Sequence, residues 1–217
     1  QAFSGDPEND LLSRFPSYRL SAEMIRDNAL AVSGLLVDRI GGNSVKPYEV
    51  AVSFKPLQRD KGEGLYRRSL YTFWKRTAPA PVMMSLDASK REVCVVKREQ
   101  TSSPIQAFVL LNDPQFVEAS RMLGQRMLQK HGEDTDAVIE SMFFVLTGRR
   151  PNKTEQDVLL ALFQQQLEYF EKHVEDAEKF LKTGDAPRDD AISTSRLGAA
   201  GVVASVLLNY DECVMKR

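Results

Sequence analysis

The sequence predicts a mostly α-helical domain with an irregular, basic and aromatic middle segment and at most a short β element. Three observations lead there. Apolar residues recur at spacings of three and four along several segments. Those segments open on cap residues, twice as a cap followed by Pro, and close on Gly. Only Val93 to Val96 reads as a short strand.

Ser21 to Val37 predicts the first helix. Met24, Ile25, Ala29, Val32 and Leu36 form its inward stripe, Ser21 caps it, and Gly41-Gly42-Asn43 stops it. From Gly42 to Gly64 the period is lost, and so long a connection is a place for a lid. Leu65 to Ala78 reads as a helix with Tyr66, Leu70, Phe73 and Trp74 on one face, ended by Pro79 and Pro81. Met83 to Glu99 is irregular. Ser103-Pro104 starts a helix carrying Ile105, Phe108, Val109 and Leu111. Asp113-Pro114 starts another, running to about Lys130 with Val117, Ser120, Leu123 and Met127 inward. Asp136 to Leu146 is a shorter one, stopped by Gly148. Thr154-x-x-Asp157 resembles a capping box. The helix after it carries Leu159, Phe163, Leu167, Phe170, Val174, Ala177 and Leu181 and ends at Gly184 and Pro187. Ser193 to about Lys216 is the last helix. Its stretch Ala199 to Leu208 is apolar or small all round, which requires burial among other helices.

Composition bounds the function classes. With 42% hydrophobic and 27% charged residues, the 217-residue chain has the makings of an ordinary packed domain. Its 29 Lys+Arg against 30 Asp+Glu leave a net charge of −1, so the chain as a whole gives no reason to expect nucleic acid. No run reaches the roughly 18 apolar residues of a membrane span. Residues 1–19 read as the remnant of an upstream domain or a linker, and 20–217 as a single mostly helical domain. Cys94 and Cys213 read as buried free thiols. His131 and His173 lie on different helical segments without metal-ligand spacing, so no metal site is expected.

The charge is unevenly spread. Residues 1–54 carry 5 positive and 7 negative side chains, residues 55–99 carry 11 and 5, and residues 100–217 carry 13 and 18. The basic middle also holds Trp74, the one Trp. Arg67, Arg68, Lys75 and Arg76 either pair with the acidic helices of the same chain or meet a polyanion such as a sulfated or carboxylated glycan. Three clusters could carry chemistry. Glu23 and Asp27, at i,i+4, repel unless a cation lies between them. Asp87, Arg91, Glu92 and Cys94 gather acid, base and thiol within eight residues. Gln106 and Asn112 lie at two helix starts, where amides and hydroxyls either cap or bind an anion.

Three runs are distinctive together. The first is Arg67-Arg68-Ser69-Leu70-Tyr71-x-Phe73-Trp74-Lys75-Arg76-Thr77. The second is Leu86-Asp87-Ala-x-x-Arg91-Glu92-Val-Cys94. The third is Thr101-x-x-Pro104-x-Gln106-Ala-x-x-Leu110-Leu111-Asn112-Asp113-Pro114. With Leu146-Thr-Gly-Arg149-Arg150-Pro151 they resemble a C-terminal domain of unknown function. That domain closes large secreted proteins of planctomycetes and related bacteria. The chain departs from it at Ser102, where the family has Asn. The resemblance covers about 20–217. It implies an exported protein, periplasmic or at the cell surface, whose partners are other domains of the parent. Haem would belong to a c-type cytochrome module elsewhere in the parent, and no cofactor is expected in this chain. Oxidising surroundings would allow a Cys94–Cys213 disulfide.

The functional expectation is a non-catalytic module that docks partner domains or binds an extracellular polymer such as a polysaccharide. Its contact residues are Arg67, Arg68, Trp74, Lys75, Arg76, Arg91, Gln106 and Asn112. Charge reversal at Arg67 and Arg68 is then expected to weaken binding and spare the fold. The alternative is a catalytic domain acting on a polysaccharide, with acid and base drawn from Glu23, Asp27, Asp87 and Glu92.

Overall fold

A computed structural model describes residues 5–13, 15, 17–48, 58–76 and 79–216. Its helices are α1 (Ala22–Ser33), α2 (Pro81–Ser85), α3 (Pro104–Asn112), α4 (Pro114–His131), α5 (Thr135–Thr147), α6 (Lys153–Lys172), α7 (Val174–Leu181), α8 (Thr194–Leu208) and α9 (Asp211–Val214). Strands β1 (Tyr18–Arg19) and β2 (Met215–Lys216) pair antiparallel, Tyr18 opposite Lys216. The fold is mostly α, as the apolar periodicity requires.

α4 and α8 form the central pair. They approach closely because the contact is built from small residues: a Cβ at Gly124 would stand 3.0 Å from the Ala200 carbonyl carbon and from the Gly201 nitrogen. Gly198 and Gly201 make similar room for the rings of Phe170 in α6 and Phe180 in α7. α1 and α5 cover α4, and α6 and α7 cover α8. Leu123, Val138, Ile139, Met142, Leu197 and Val203 are wholly buried in one continuous apolar core reaching from Ala22 to Cys213. Truncating such a side chain to Ala costs about 2–5 kcal/mol.

Caps decide the element ends. Ser21 accepts from the Met24 N–H and starts α1, and Asp113 accepts from the Gln115 N–H and starts α4. α1 stops at Gly34, not at Gly41–Asn43, because Gly34 takes the left-handed conformation and returns its N–H to Leu30 and Ala31. The buried face of α1 runs through Ala22, Ile25, Arg26, Ala29 and Leu30, so Met24 points outward, 52% exposed. α6 is capped by Asn152 with Glu155, two residues before the expected Thr154 and Asp157. The helix expected through Leu181 breaks at His173, whose Nδ1 lies 3.0 Å from the Tyr169 carbonyl and whose ring stacks on Tyr169. The last helix ends at Leu208. Tyr210 then turns the chain against Phe143, and β2 follows α9.

The segment from Leu65 is not a helix. It forms two 3₁₀ turns, Gly62–Leu65 and Ser69–Tyr71, with isolated bridges from Arg67 to Val37 and from Thr72 to Val45. The reason lies in α1. Arg26 draws in the carbonyls of Leu65 and Arg67, and Asp27 accepts the Ser69 N–H. Those are the backbone groups a helix needs for itself. Leu70 is consequently 76% exposed. Val93 to Val96 forms no strand and lies exposed. Of the expected lid at 42–64, residues 49–57 lie outside the described residues, as do Thr77 and Ala78 of the basic-aromatic run.

Candidate functional site

The sequence-predicted site residues divide into buried locks and an exposed face. Arg26, 1% exposed, donates from Nε to Gln115, from Nη1 to the Arg67 carbonyl and Ser69 Oγ, and from Nη2 to the Leu65 carbonyl. Its neighbour Asp27 accepts from Ser69 N at 2.7 Å and Ser69 Oγ at 2.6 Å. Glu23 turns to Arg98, which donates to both its oxygens at 3.0 and 3.1 Å. The i,i+4 carboxylates are thus separated onto different partners rather than sharing one cation.

Arg67 is not a contact residue. It is buried at 1% exposure, donates to the carbonyls of Arg39, Gly41 and Asn43, and lies 4.0 Å over the Tyr71 ring. Charge reversal there would set a carboxylate among three carbonyl oxygens, so it would not spare the fold. Gln106 is buried as well. It closes the Ser103 capping box and donates to Asp87 at 2.9 Å. Asn112 is exposed and donates to the Phe108 carbonyl. Arg68 pairs with Asp38 at the surface.

Asp87 joins two of the distinctive runs. One of its oxygens accepts from Thr101 N at 2.7 Å, Thr101 Oγ1 at 2.8 Å and Gln106 Nε2, with Arg19 at 3.7 Å. Burial pushes its carboxyl up, but the hydrogen bonds from Thr101 and Gln106 outweigh it and hold the group below its ordinary value. That is the wrong direction for a general acid. Glu92 is exposed and forms no ion pair with a described residue.

The residues that remain form an outer face on which Arg76, Lys90, Arg91 and Lys97 are exposed and Lys75 and Trp74 half-buried, Trp74 against the core. The Arg91 guanidinium lies 5.0 Å over the Trp74 ring, and the Trp74 indole N–H donates to the Lys90 carbonyl. Lys90, Arg91, Lys97 and Arg98, with Val93 and Val95, line a groove of about 390 Å³ to which Asp87, Glu92 and Glu99 also contribute. Lys75, Arg76, Lys90, Arg91 and Lys97 make no ion pair with a described residue, so the expected pairing of Lys75 and Arg76 with acidic helices is not what the fold does. Cys94 lies on the same loop and is exposed; Cys213 is buried, and both are free thiols. Burial pushes the Cys213 thiol up to about 12.

A second cleft, of about 310 Å³, is marked by no sequence motif. Pro47, Leu65, Pro81, Val82 and Pro114 give it apolar walls; Tyr48, Arg59, Asp113, Gln115 and Glu118 are its polar groups. Glu118 is 3% exposed, and its Oε1 accepts from Tyr66 Oη and from the N–H groups of Asp185 and Ala186. Burial raises Asp113 above the ordinary carboxylate value. Arg59 and Asp185 form an ion pair at 2.6 Å beside the cleft. The available signal was a Glu at 118 beside the inward Val117. Asp113 caps α4 and also lines the cleft. Sequence distance likewise hid a 2.7 Å contact between His131 Nε2 and Ser141 Oγ. It has no carboxylate on the other ring nitrogen among the described residues and ties α4 to α5.

Among the described residues, no group of three or more His, Cys, Asp or Glu is placed to hold a metal ion, and no helix is long and apolar enough to cross a membrane.

The fold and its sites define a helical domain in which buried arginines and carboxylates tie the distinctive runs of sequence into place. The chain belongs to the PSD1 family of proteins of unknown function (DUF1553), whose model matches residues 1–163. No curated protein and no solved structure matches it.

Proposed function

We propose that this domain is a non-catalytic binding module whose Trp74–Arg91 face grips an anionic extracellular polymer, a sulfated or carboxylated polysaccharide. The observation that carries the reading is the guanidinium of Arg91 over Trp74, among cations that form no ion pair with a described residue. Trp74 holds the Arg91 guanidinium in place, and cations of this kind suit sulfate or carboxylate. The acidic surface of a neighbouring domain would suit the same cations, which is the docking form of the reading. The resemblance to domains that close large secreted planctomycete-type proteins supports an exported setting. There, any haem would sit in another part of the parent.

The carboxylate-pair alternative has less support. Asp27 and Asp87 are committed to Ser69, Thr101 and Gln106, and Glu23 to Arg98.

Calorimetric titration with dextran sulfate and polygalacturonate, against neutral dextran, tests the proposal. Binding should weaken as salt rises and fall at least tenfold in a Lys90→Glu/Arg91→Glu double variant with an unchanged melting temperature. Equal binding of neutral dextran, or a double variant that binds like the parent, would overturn it.

A further inference from the structure

We infer that residues 91–99 form a docking strand for a second copy of this chain, pairing antiparallel with the same residues of that copy about Val95. Val93, Val95 and Val96 carry the β-propensity of a strand, yet they lie exposed. From Glu92 to Gln100 no backbone N–H or carbonyl makes a hydrogen bond with a described residue. Both ends of the segment are nevertheless fixed. The Trp74 indole N–H donates to the Lys90 carbonyl, and Thr101 donates its N–H to Asp87 and accepts from Arg19 at its carbonyl. Between these anchors the side chains already alternate as in a strand: Val93, Val95 and Lys97 line the groove, whereas Cys94 and Val96 between them do not. A row of unpaired backbone groups beside β-branched side chains is a template for another strand.

The charges select the strand. Pairing about Val95 sets Arg91 opposite Glu99 of the second copy and Glu92 opposite its Arg98, and the two-fold symmetry repeats both pairs. Val93 then faces Lys97, Cys94 faces Val96, and Val95 faces itself. A slip of one place sets Arg91 against Arg98 in one direction and Glu92 against Glu99 in the other, and like charges directly opposite are destabilising. Each charge also has room for its contact. Glu92 and Glu99 are exposed and form no ion pair with a described residue. The Arg91 guanidinium rests on Trp74, and Arg98 donates to Glu23 from Nη1 alone, which leaves its Nε and Nη2. The pairing draws on none of Lys75, Arg76 and Lys90, so it goes beyond the polymer reading and stands without it.

Sedimentation velocity of the whole chain, without polymer, tests the inference. The mass should rise with concentration from that of one chain towards that of two, and less so as salt rises. Glu92→Arg/Glu99→Arg sets like charges opposite Arg98 and Arg91. It should weaken association at least tenfold with an unchanged melting temperature. That variant only adds positive charge to the face, so failure of the pairing and failure of polymer binding are read separately. Cross-linking in a Cys94→Ser background reads the register. Under mild oxidation Val95→Cys, opposite itself, should give a disulfide-linked dimer, whereas Val93→Cys, opposite Lys97, should not. A mass that stays monomeric up to about 1 mM, a Glu92→Arg/Glu99→Arg variant that associates like the parent, or cross-linking through Val93→Cys as ready as through Val95→Cys would each overturn the inference.

Discussion

Gly184 leaves no room for a side chain beside Glu118: a Cβ built on it would overlap the Glu118 carboxyl group. Its φ of +89° lies where L-residues are disfavoured. The loop it starts then delivers the N–H groups of Asp185 and Ala186 to the Glu118 carboxylate, and the Ala186 carbonyl accepts from Arg121. Gly184→Ala should therefore destabilise the domain by about 2–3 kcal/mol, through left-handed strain and displacement of a buried carboxylate. At this chain length that corresponds to a fall of roughly 5–10 °C in melting temperature. A scanning calorimeter would show it; an unchanged melting point would mean that Glu118 moves aside freely.

Two arginines should behave oppositely. Arg26→Ala removes four donors from a buried site and strands Gln115, Ser69 and two carbonyls, at a cost of about 3–5 kcal/mol. Arg26→Lys should recover only part, since an ammonium lacks the planar fork. Arg68→Ala breaks only a surface pair with Asp38 and should cost under about 1 kcal/mol. Urea titration of the three variants gives the ranking, and a large loss in Arg68→Ala would contradict the geometry.

Acid should loosen the junction of α6 with α9. Arg149 donates to both oxygens of Glu155 and to both of Glu212, and Tyr210 donates to Glu155. The Arg149 hydrogen bonds pull Glu155 from its ordinary 4.5 down to about 2. Its folded value is depressed, so its stabilisation is present above about 4.5 and fades as the pH falls towards about 2. Asp87, also depressed, acts with the same sign. Asp113, whose value is raised, acts against them: protonation relieves its burial at low pH. Melting temperature should fall between pH 4.5 and 2, and less steeply in Glu155→Gln, which keeps a capping-box partner. Parallel curves for the two proteins would remove Glu155 as a cause.

The two thiols should separate by reactivity. Cys94 is exposed, whereas Cys213 is 4% exposed with its thiol pushed up to about 12. An aromatic disulfide reagent at pH 8 should label one thiol quickly and the second only in denaturant. Rapid labelling of both would show that the end of the chain opens.

Helix existence was legible because it rests on local rules. Ser21, Asp113, Gly148 and the small residues of Ala199 to Leu208 each act within a turn or two of their own position. Polar side chains that act at a distance were not legible. Arg26 and Asp27 reach across about forty residues to Leu65, Arg67 and Ser69, and their demand on that backbone overrides its helical pattern. On α3, Gln106 is buried by Asp87 while Phe108 is 67% exposed, the reverse of what hydrophobicity suggests. The basic face was half legible. Trp74 and Arg91 were both named, but seventeen positions of sequence conceal that they stack, and burial removes Arg67 from their company.

Because Tyr18 pairs with Lys216, two stretches from opposite ends of the described residues lie side by side. Residues 18 and 216 can therefore be linked directly and a new opening cut in the exposed stretch 90–102, leaving α4 and α8 packed at the centre. The joint between 18 and 216 is in that sense a hinge-pin for rearranging gene order, independent of what the basic face or the cleft holds.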